Sequence, residues 1–203
     1  MFELYTAPTF NGQRASIMLE EAGLDYRAHK IDLMKLEQRR PDFLKLNPSG
    51  RIPVLVDQRD GTDTPFVLTQ SVAIVLYLAE KTGCLVPESL EERARVYEWL
   101  QFHAVDIGSN LFSAFFLERL SRPSHPQAAE CLHERVHDLY AYFDQRLAES
   151  EYLAGDSYTV ADVITLPAAL AQREKLAGYP HLTRWLTALA ERPAVRLGMA
   201  VPV

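Results

Sequence analysis

Two short segments of this chain carry residue types that suit the binding of an extended peptide with a carboxylate. Ile52-Pro53 opens an apolar run that predicts a strand over 52–56. Proline has no N–H to give to a sheet, so it belongs at the edge or the start of a strand. Gln70-Ser71 opens an apolar helix, and a helix N-terminus offers unpaired N–H groups to an anion. Together these four residues predict a ledge for such a peptide.

The elements that must position this ledge alternate between strands and helices. Strands are predicted at 2–6, 26–32, 52–56 and 65–69, and helices at 12–22, 35–46 and 71–79. Asn11 is the predicted N-cap of the first helix, and Asp60-Gly61 predicts a hairpin turn. The order βαβαββα predicts a partly parallel sheet in an α/β thioredoxin-like domain over 1–82.

The second part of the chain is predicted to be helical almost throughout, after a linker at 83–89. Two long helices are predicted over 90–120 and 127–149. A third helix is predicted to begin at Thr159, and a fourth to begin within 179–186. Thr159 and Asp162 predict a capping box, and Pro167 predicts a kink in the same helix. This pattern predicts an all-α domain over 90–203.

Several of these segments resemble the glutathione transferase superfamily, and the resemblance extends over nearly the whole chain. G-D-S-Y-T-V-A-D at 155–162 resembles the helix cap in the core of that family's helical domain. P-T-F-N-G at 8–12 resembles the bacterial nu class, whose members resemble disulfide reductases. The resemblance implies the glutathione transferase fold, glutathione as co-substrate, no metal, and a homodimer.

Catalysis in such a fold is expected in the turn after the first strand, residues 7–14. This turn has no cysteine, so any thiol must arrive with the ligand. In the nu class the residues that match Thr9 and Asn11 approach the glutathione sulfur, which implies the same catalytic role here. Plain helix capping is the alternative for Asn11. Tyr5 lies in the strand itself, which argues against it as the activating hydroxyl.

The resemblance also implies how glutathione lies on the ledge. With a cis bond before Pro53, Ile52 would offer its N–H and C=O to the ligand backbone, which is strand addition by a peptide. Ser71 would hold the γ-glutamyl carboxylate and Gln70 the same end of the ligand, although Ser71 also suits a plain helix cap. Two further contacts are predicted, Arg51 with the glycyl carboxylate and Gln38 with the ligand.

A second substrate is expected beside polar and aromatic residues of the first long helix. His103, Asp106 and Asn110 are spaced i, i+3 and i+7, so they are predicted to share one face, with Phe112 just beyond. Core packing together with a wet or dimer-facing surface is the favoured explanation for most of them.

H-E-R-V-H at 133–137 matches the H-E-x-x-H pattern of zinc proteases. The pattern fixes only three positions, and no distinct third-ligand motif follows it. We therefore expect no metal site there.

The bulk composition excludes several classes of protein. A net charge of −6 and a pI of about 5.5 give no electrostatic support for nucleic-acid binding. No apolar stretch reaches the roughly 20 residues of a membrane span, and the first residues lack the basic region of a secretory signal. The two cysteines, Cys84 and Cys131, form no C-x-x-C pair, which favours a reducing compartment. A cytoplasmic location is expected.

The sequence thus predicts an enzyme that activates the glutathione thiol for attack on a small disulfide or an electrophile. Disulfide reduction is the leading hypothesis, and conjugation to an electrophilic carbon uses the same thiolate. A non-catalytic glutathione transferase-like binding or regulatory module is the alternative of a different class.

Overall fold

The computed structural model describes residues 1–59 and 64–203, which form two compact units. Unit 1 comprises 1–86 together with 190–203, and unit 2 comprises 87–189. The predicted hairpin turn at Asp60-Gly61 lies outside the described residues. The domain boundaries 1–82 and 90–203 stay a prediction, and the packing groups the last residues of the chain with unit 1.

Unit 1 contains a mixed four-stranded sheet, which confirms the predicted α/β thioredoxin-like class. The strands are β1 (Phe2–Thr6), β2 (Tyr26–Lys30), β3 (Val54–Asp57) and β4 (Phe66–Thr69). Their order is β2-β1-β3-β4, with β1 and β2 parallel and β3 antiparallel to both of its neighbours. Every residue of β3 is buried, as expected for an interior strand. Strand β3 begins two residues later than the predicted strand at 52–56, because its hydrogen bonds to the neighbouring strands start after Pro53.

The helices of unit 1 are α1 (Phe10–Glu21), α2 (Pro41–Leu46), α3 (Ser71–Thr82) and α9 (Pro193–Met199), with a short 3-10 turn at Glu37–Arg39. The prediction that Asn11 caps the first helix is wrong. Thr9 is the N-cap, with extended backbone and with its Oγ1 accepting a hydrogen bond from the Gly12 N–H at 3.2 Å. Asn11 lies inside the first turn, which leaves its side chain for other contacts.

The C-terminal helix α9 packs closely on α1. A Cβ at Gly198 would lie 2.6 Å from both the Cα and the backbone nitrogen of Ile17, so only glycine fits this crossing. Ser16 Oγ donates to the Gly198 carbonyl at 2.7 Å. Arg192 donates to both carboxylate oxygens of Glu21 at 2.8 Å. The last residues of the chain thus fix the position of α1.

Unit 2 is helical, in agreement with the predicted all-α region. Its helices are α4 (Leu90–Gln101), α5 (Ser109–Phe115), α6 (Pro126–Glu149), α7 (Val160–Leu170) and α8 (Pro180–Ala190), the last of which ends at the boundary with unit 1. The predicted single helix over 90–120 contains π-helical segments at Phe102–Gly108 and Phe116–Leu120. Its backbone stays right-handed helical through these junctions. Helix α7 continues across Pro167, and the kink there stays a prediction.

The predicted capping box at the start of α7 is present, with Thr159 as N-cap and Asp162 at the third helical position. The Asp162 carboxylate is fully buried and accepts hydrogen bonds from four donors: Leu153 N, Thr159 N, Thr159 Oγ1 and Trp185 Nε1. Burial raises the pKa of Asp162 to about 6, while the four donors act in the opposite direction. This carboxylate ties the start of α7 to α8.

Among the residues that the structure describes, no helix has both the length and the apolar character that a membrane crossing requires.

Trp185→Phe should lower the free energy of unfolding of the protein by about 1.5–3 kcal/mol. The substitution keeps a buried ring and removes the N–H that bonds to the Asp162 carboxylate at 2.9 Å. Urea unfolding at neutral pH measures the change. Trp99→Phe is a control for the loss of an indole, because Trp99 is buried by aromatic packing. Equal losses in the two variants would contradict a special role for the carboxylate bond.

Candidate functional site

Three segments of unit 1 leave the sheet at the same edge. Val54, the first residue of β3, pairs with Tyr5 near the end of β1 and with Thr69 at the end of β4. The turn after β1, the residues before β3 and the residues after β4 therefore converge. Because β1 leads into α1 and β4 leads into α3, the N-termini of both helices also lie at this edge.

The turn after β1 is drawn tightly against the first turn of α1. A Cβ at Gly12 would lie 2.3 Å from both the Ala7 carbonyl oxygen and Thr6 Oγ1, so this position requires glycine. Thr9, which is half-buried, also donates its backbone N–H to the Ala7 carbonyl at 2.7 Å. This close packing fixes where the N-terminus of α1 presents its N–H groups.

Asn11 and Ser71 meet across the two helices. Ser71 Oγ donates to Asn11 Oδ1 at 3.3 Å, which brings one predicted catalytic residue against one predicted binding residue. Ser71 is the first residue of α3 rather than its N-cap, which is Gln70. Its hydroxyl therefore bonds across to α1 instead of capping its own helix.

Arg14 completes this contact, and the sequence analysis did not select it. Its Nη1 donates to Asn11 Oδ1 at 2.6 Å and to Ser71 Oγ at 3.3 Å. The side chain is 4% exposed and its guanidinium lies 5.5 Å from the centre of the Phe10 ring. The sequence could have indicated this contact, because residues at i and i+3 of a helix share a face and Arg14 follows Asn11 by three residues. The other buried side chains of the helix are small or apolar.

Gln70 connects β4 to α3 with an unusual backbone conformation. Its φ of 72° lies in the region that favours glycine, and its side chain makes no capping bond. The side chain is exposed. Such strain is typical of residues that are held in place for binding.

The loop before β3 is fixed by the buried amide side chain of Asn47. The Ile52-Pro53 bond is cis, as the resemblance implied. Asn47, which is 5% exposed, donates from Nδ2 to the Arg51 carbonyl at 2.7 Å and accepts from the Ser49 N–H at 3.1 Å. The loop that leads to Ile52 is therefore fixed by Asn47, which was not among the residues predicted from sequence.

Gln38 lies in the 3-10 turn beside this loop. Its neighbour Arg39 donates to the Ser49 carbonyl at 3.2 Å, which joins the turn to the loop. Within the described ranges, the buried Gln38 Oε1 has no hydrogen-bond partner. A buried polar atom without a partner is unfavourable unless a ligand completes it. The Arg51 side chain is exposed on the same loop.

Tyr5 is occupied elsewhere. Its hydroxyl donates to Glu3 Oε2 at 3.2 Å, and its ring stacks on His29 at 4.4 Å between centroids. Burial and the neighbouring Glu3 carboxylate raise the pKa of Tyr5. This agrees with the argument from sequence against Tyr5 as the activating hydroxyl.

The four residues predicted for a second substrate lie in unit 2, and the shared face of His103, Asp106 and Asn110 stays a prediction. Part of their i, i+3, i+7 spacing falls in the π-helical segment at Phe102–Gly108, which has a longer repeat than an α-helix. His103 is fully buried, whereas Phe112 is 41% exposed. Asn110 donates its amide to the Asp106 carbonyl at 2.6 Å.

Of these four residues, Asp106 alone lines the open cavity of about 340 Å³ in unit 2. The other lining residues are Glu98, Trp99, Gln101, Phe102, Val105 and Tyr142. A role for His103, Asp106, Asn110 and Phe112 in substrate binding stays a prediction.

The two histidines of the H-E-R-V-H segment face different partners. His133 Nε2 lies 3.1 Å from Glu118 Oε1, and His137 Nδ1 lies 3.4 Å from the Tyr179 hydroxyl. No group of three metal-binding side chains occurs in the parts of the chain at 1–59 and 64–203. The two histidines therefore contact residues outside α6.

Comparison with known families matches both parts of the chain. A family model described as "Glutathione S-transferase, N-terminal domain" matches residues 11–81, and one described as "Glutathione S-transferase, C-terminal domain" matches 109–193. The disulfide-bond oxidoreductase YfcG of Escherichia coli is 39% identical over 96% of this chain and 92% of its own length. Glutathione S-transferase 3 of Zea mays is 33% identical over 98% and 93%.

Solved structures of similar proteins contain glutathione. A Burkholderia graminis glutathione transferase with two glutathione molecules per subunit matches with a TM-score of 0.89 and 32% identity, over 99% of this chain and 88% of that chain. A Pseudomonas putida glutathione transferase with one glutathione disulfide per subunit matches with a TM-score of 0.88 and 29% identity, over 100% and 92%.

Gly12→Ala should destabilise the protein by about 1–3 kcal/mol, because the added methyl would collide with the Ala7 carbonyl and Thr6 Oγ1. Thermal or urea unfolding measures the loss. Gly178→Ala is the matched control, since its Cβ would enter open space. If both substitutions proved neutral, the close approach at Gly12 would be disproved.

Proposed function

The chain belongs to the glutathione S-transferase family, and we propose that it binds glutathione at the converging sheet edge and uses the thiolate to reduce a disulfide. Within the family we place it in the bacterial nu class. The observation that carries the proposal is the bonded set of Asn11, Arg14 and Ser71 at the N-termini of α1 and α3.

The γ-glutamyl end of glutathione suits the N-terminus of α3. Ser71 is the first residue of that helix, where backbone N–H groups and the helix dipole favour a carboxylate. The buried guanidinium of Arg14 adds positive charge behind the Ser71 hydroxyl. Gln70 is exposed beside it and can contact the same end of the ligand.

The rest of the tripeptide would lie along the ledge. Ile52 precedes the buried Pro53 and the start of the β3 ladder, so its backbone groups lie beyond the sheet hydrogen bonds and suit an extended peptide. Gln38 and Arg51 are joined to the same loop and would contact the ligand, with Arg51 at the glycyl carboxylate.

The sulfur would then face Thr9 and Asn11 at the N-terminus of α1. A free thiol titrates near 8.5, and lowering its pKa by one unit takes about 1.4 kcal/mol. A hydrogen bond to a charged group contributes roughly 1.5–3 kcal/mol, and a helix N-terminus about 0.3–1 kcal/mol. One donor and the dipole of α1 therefore suffice to bring the pKa of the bound thiol to about 6–7.

The reaction is thiol–disulfide exchange in two steps. The glutathione thiolate attacks one sulfur of the substrate disulfide, forms a mixed disulfide and releases the other substrate sulfur as a thiolate. A second glutathione thiolate attacks the glutathione sulfur of the mixed disulfide, which yields glutathione disulfide and the second substrate thiol. Two glutathione molecules are oxidised and one disulfide is reduced. The two glutathione molecules in the Burkholderia graminis structure, and the glutathione disulfide in that from Pseudomonas putida, support this sequence.

Conjugation is the second candidate function, favoured by the 33% identity to a maize glutathione S-transferase. It uses the same thiolate against an electrophilic carbon. Turnover of a small model disulfide and of a model electrophile, measured side by side, distinguishes the two functions. Faster turnover of the electrophile would reverse the order proposed above.

A cytoplasmic homodimer is also part of the proposal. Exposed apolar side chains in unit 2, among them Val105, Phe115 and Phe116, suit burial against a second copy. Light scattering during size-exclusion chromatography gives the mass directly.

Asn11→Ala should lower disulfide turnover by about 10- to 100-fold, because it removes a hydrogen-bond donor to the thiolate. The loss should appear in kcat more than in glutathione affinity. Thermal unfolding of the variant serves as the control and should show a single transition at a somewhat lower temperature, because Asn11 Oδ1 also accepts from the buried Arg14 guanidinium. An unchanged rate would remove Asn11 from the mechanism.

Ser71→Ala should weaken glutathione binding several-fold. It removes the hydroxyl, which would turn from Asn11 Oδ1 to the γ-glutamyl carboxylate when the ligand binds, and that hydrogen bond is worth roughly 1 kcal/mol. Calorimetric titration with reduced glutathione measures the affinity. Ser113→Ala, which changes an exposed serine on α5, should bind as the wild type does. Equal affinity in all three proteins would contradict the placement of the carboxylate at α3.

A further inference from the structure

Among the described residues, the Asn11 side chain is held through its oxygen. Arg14 Nη1 donates to Oδ1 at 2.6 Å, and Ser71 Oγ donates to the same atom at 3.3 Å. Both contacts come from the side where α1 and α3 meet. The amide nitrogen takes part in neither contact.

This orientation is dictated by the chemistry of Arg14. A guanidinium has N–H donors and no acceptor, so the amide atom that faces it must be the oxygen. A rotation of the amide by half a turn would place N–H against N–H. The two N–H donors of Asn11 Nδ2 are therefore directed away from Arg14 and remain for a ligand.

Arg14 itself is well placed to impose this orientation. It is 4% exposed, so solvent competes little for its donors. Its guanidinium lies over the Phe10 ring at 5.5 Å, and its Nη1 also reaches Ser71 Oγ at 3.3 Å. Arginine stays charged at all relevant pH values, so its donor character is constant.

We propose that Arg14 is a positioning residue that fixes the Asn11 amide with its oxygen inward, so that the N–H donors of Nδ2 face the glutathione sulfur. This inference rests on the proposed function. With this orientation, the uncharged Asn11 amide can donate a hydrogen bond to the sulfur, which favours the thiolate over the thiol. Arg14 acts through Asn11 and does not touch the sulfur.

A double-mutant cycle on the pKa of the bound glutathione thiol tests the inference. The thiolate is followed by its ultraviolet absorbance as the pH is raised, with Arg14→Met, Asn11→Ala and the double variant beside the wild type. Methionine keeps a long side chain against Phe10 and has no donor. Arg14→Met should raise the pKa of the bound thiol by about 1, since the amide then keeps only the longer contact with Ser71 Oγ at 3.3 Å. Added to Asn11→Ala, it should cause no further rise.

Two further variants separate positioning from structure. Arg14→Lys keeps a donor-only side chain and should recover most of the effect. If Arg14→Met does not fold, Arg14→Gln replaces it and should also raise the pKa of the bound thiol, because its amide can accept as well as donate and so does not dictate the orientation of Asn11. Arg192→Met removes the partly buried ion pair at the other end of α1, so it should lower the melting temperature and leave the pKa of the bound thiol unchanged.

Two results would contradict the positioning role of Arg14. An equal rise from Arg14→Met with and without Asn11 would show that the Arg14 charge acts directly on the sulfur, and the positioning role would be wrong. An unchanged pKa in a folded Arg14→Met variant would also overturn it. If the wild type bound no glutathione, the proposed function would fail first and this inference with it.

Discussion

The site depends on one buried cation and the two helix N-termini that it joins. Arg14 is almost fully enclosed, and a buried charge is costly unless hydrogen bonds satisfy it. Asn11 on α1 and Ser71 on α3 supply such bonds. Any shift of one helix against the other would lengthen contacts to that charge. The geometry of the proposed glutathione site is therefore fixed by the same contacts that stabilise unit 1.

The elements around this cation limit how far α1 can move. Gly12 lets the start of α1 touch the turn after β1, and Gly198 lets α9 cross α1 at backbone distance. At the C-terminal end of α1, Glu21 forms an ion pair with Arg192, the residue before α9. The last residues of the chain thus act on the site through the helix that carries Asn11, although none of them was selected for function by sequence.

Much of the fold follows from local signals in the sequence. The strand and helix order, the Thr159–Asp162 capping box and the ledge at Ile52-Pro53 and Ser71 depend on residues near one another in the chain. The family resemblance supplied Thr9, Asn11 and glutathione, which spacing alone does not give. The rest depends on where each helix begins and on tertiary contacts. Thr9 rather than Asn11 caps α1, because the helix begins at Phe10 and Thr9 Oγ1 accepts from the Gly12 N–H. The π-helical segments interrupt the single helix predicted over 90–120, and the contact of Arg14 with Ser71 joins residues 57 positions apart.

A crystal structure with reduced glutathione would show where the ligand lies on unit 1. The γ-glutamyl carboxylate should lie within hydrogen-bond distance of Ser71, and the ligand backbone should pair with Ile52. The sulfur should lie within reach of Thr9 Oγ1 and Asn11 Nδ2, with the Arg14–Asn11 bond retained. Glutathione bound elsewhere in a well-ordered crystal, or lying on this edge with its sulfur directed away from α1, would contradict the account.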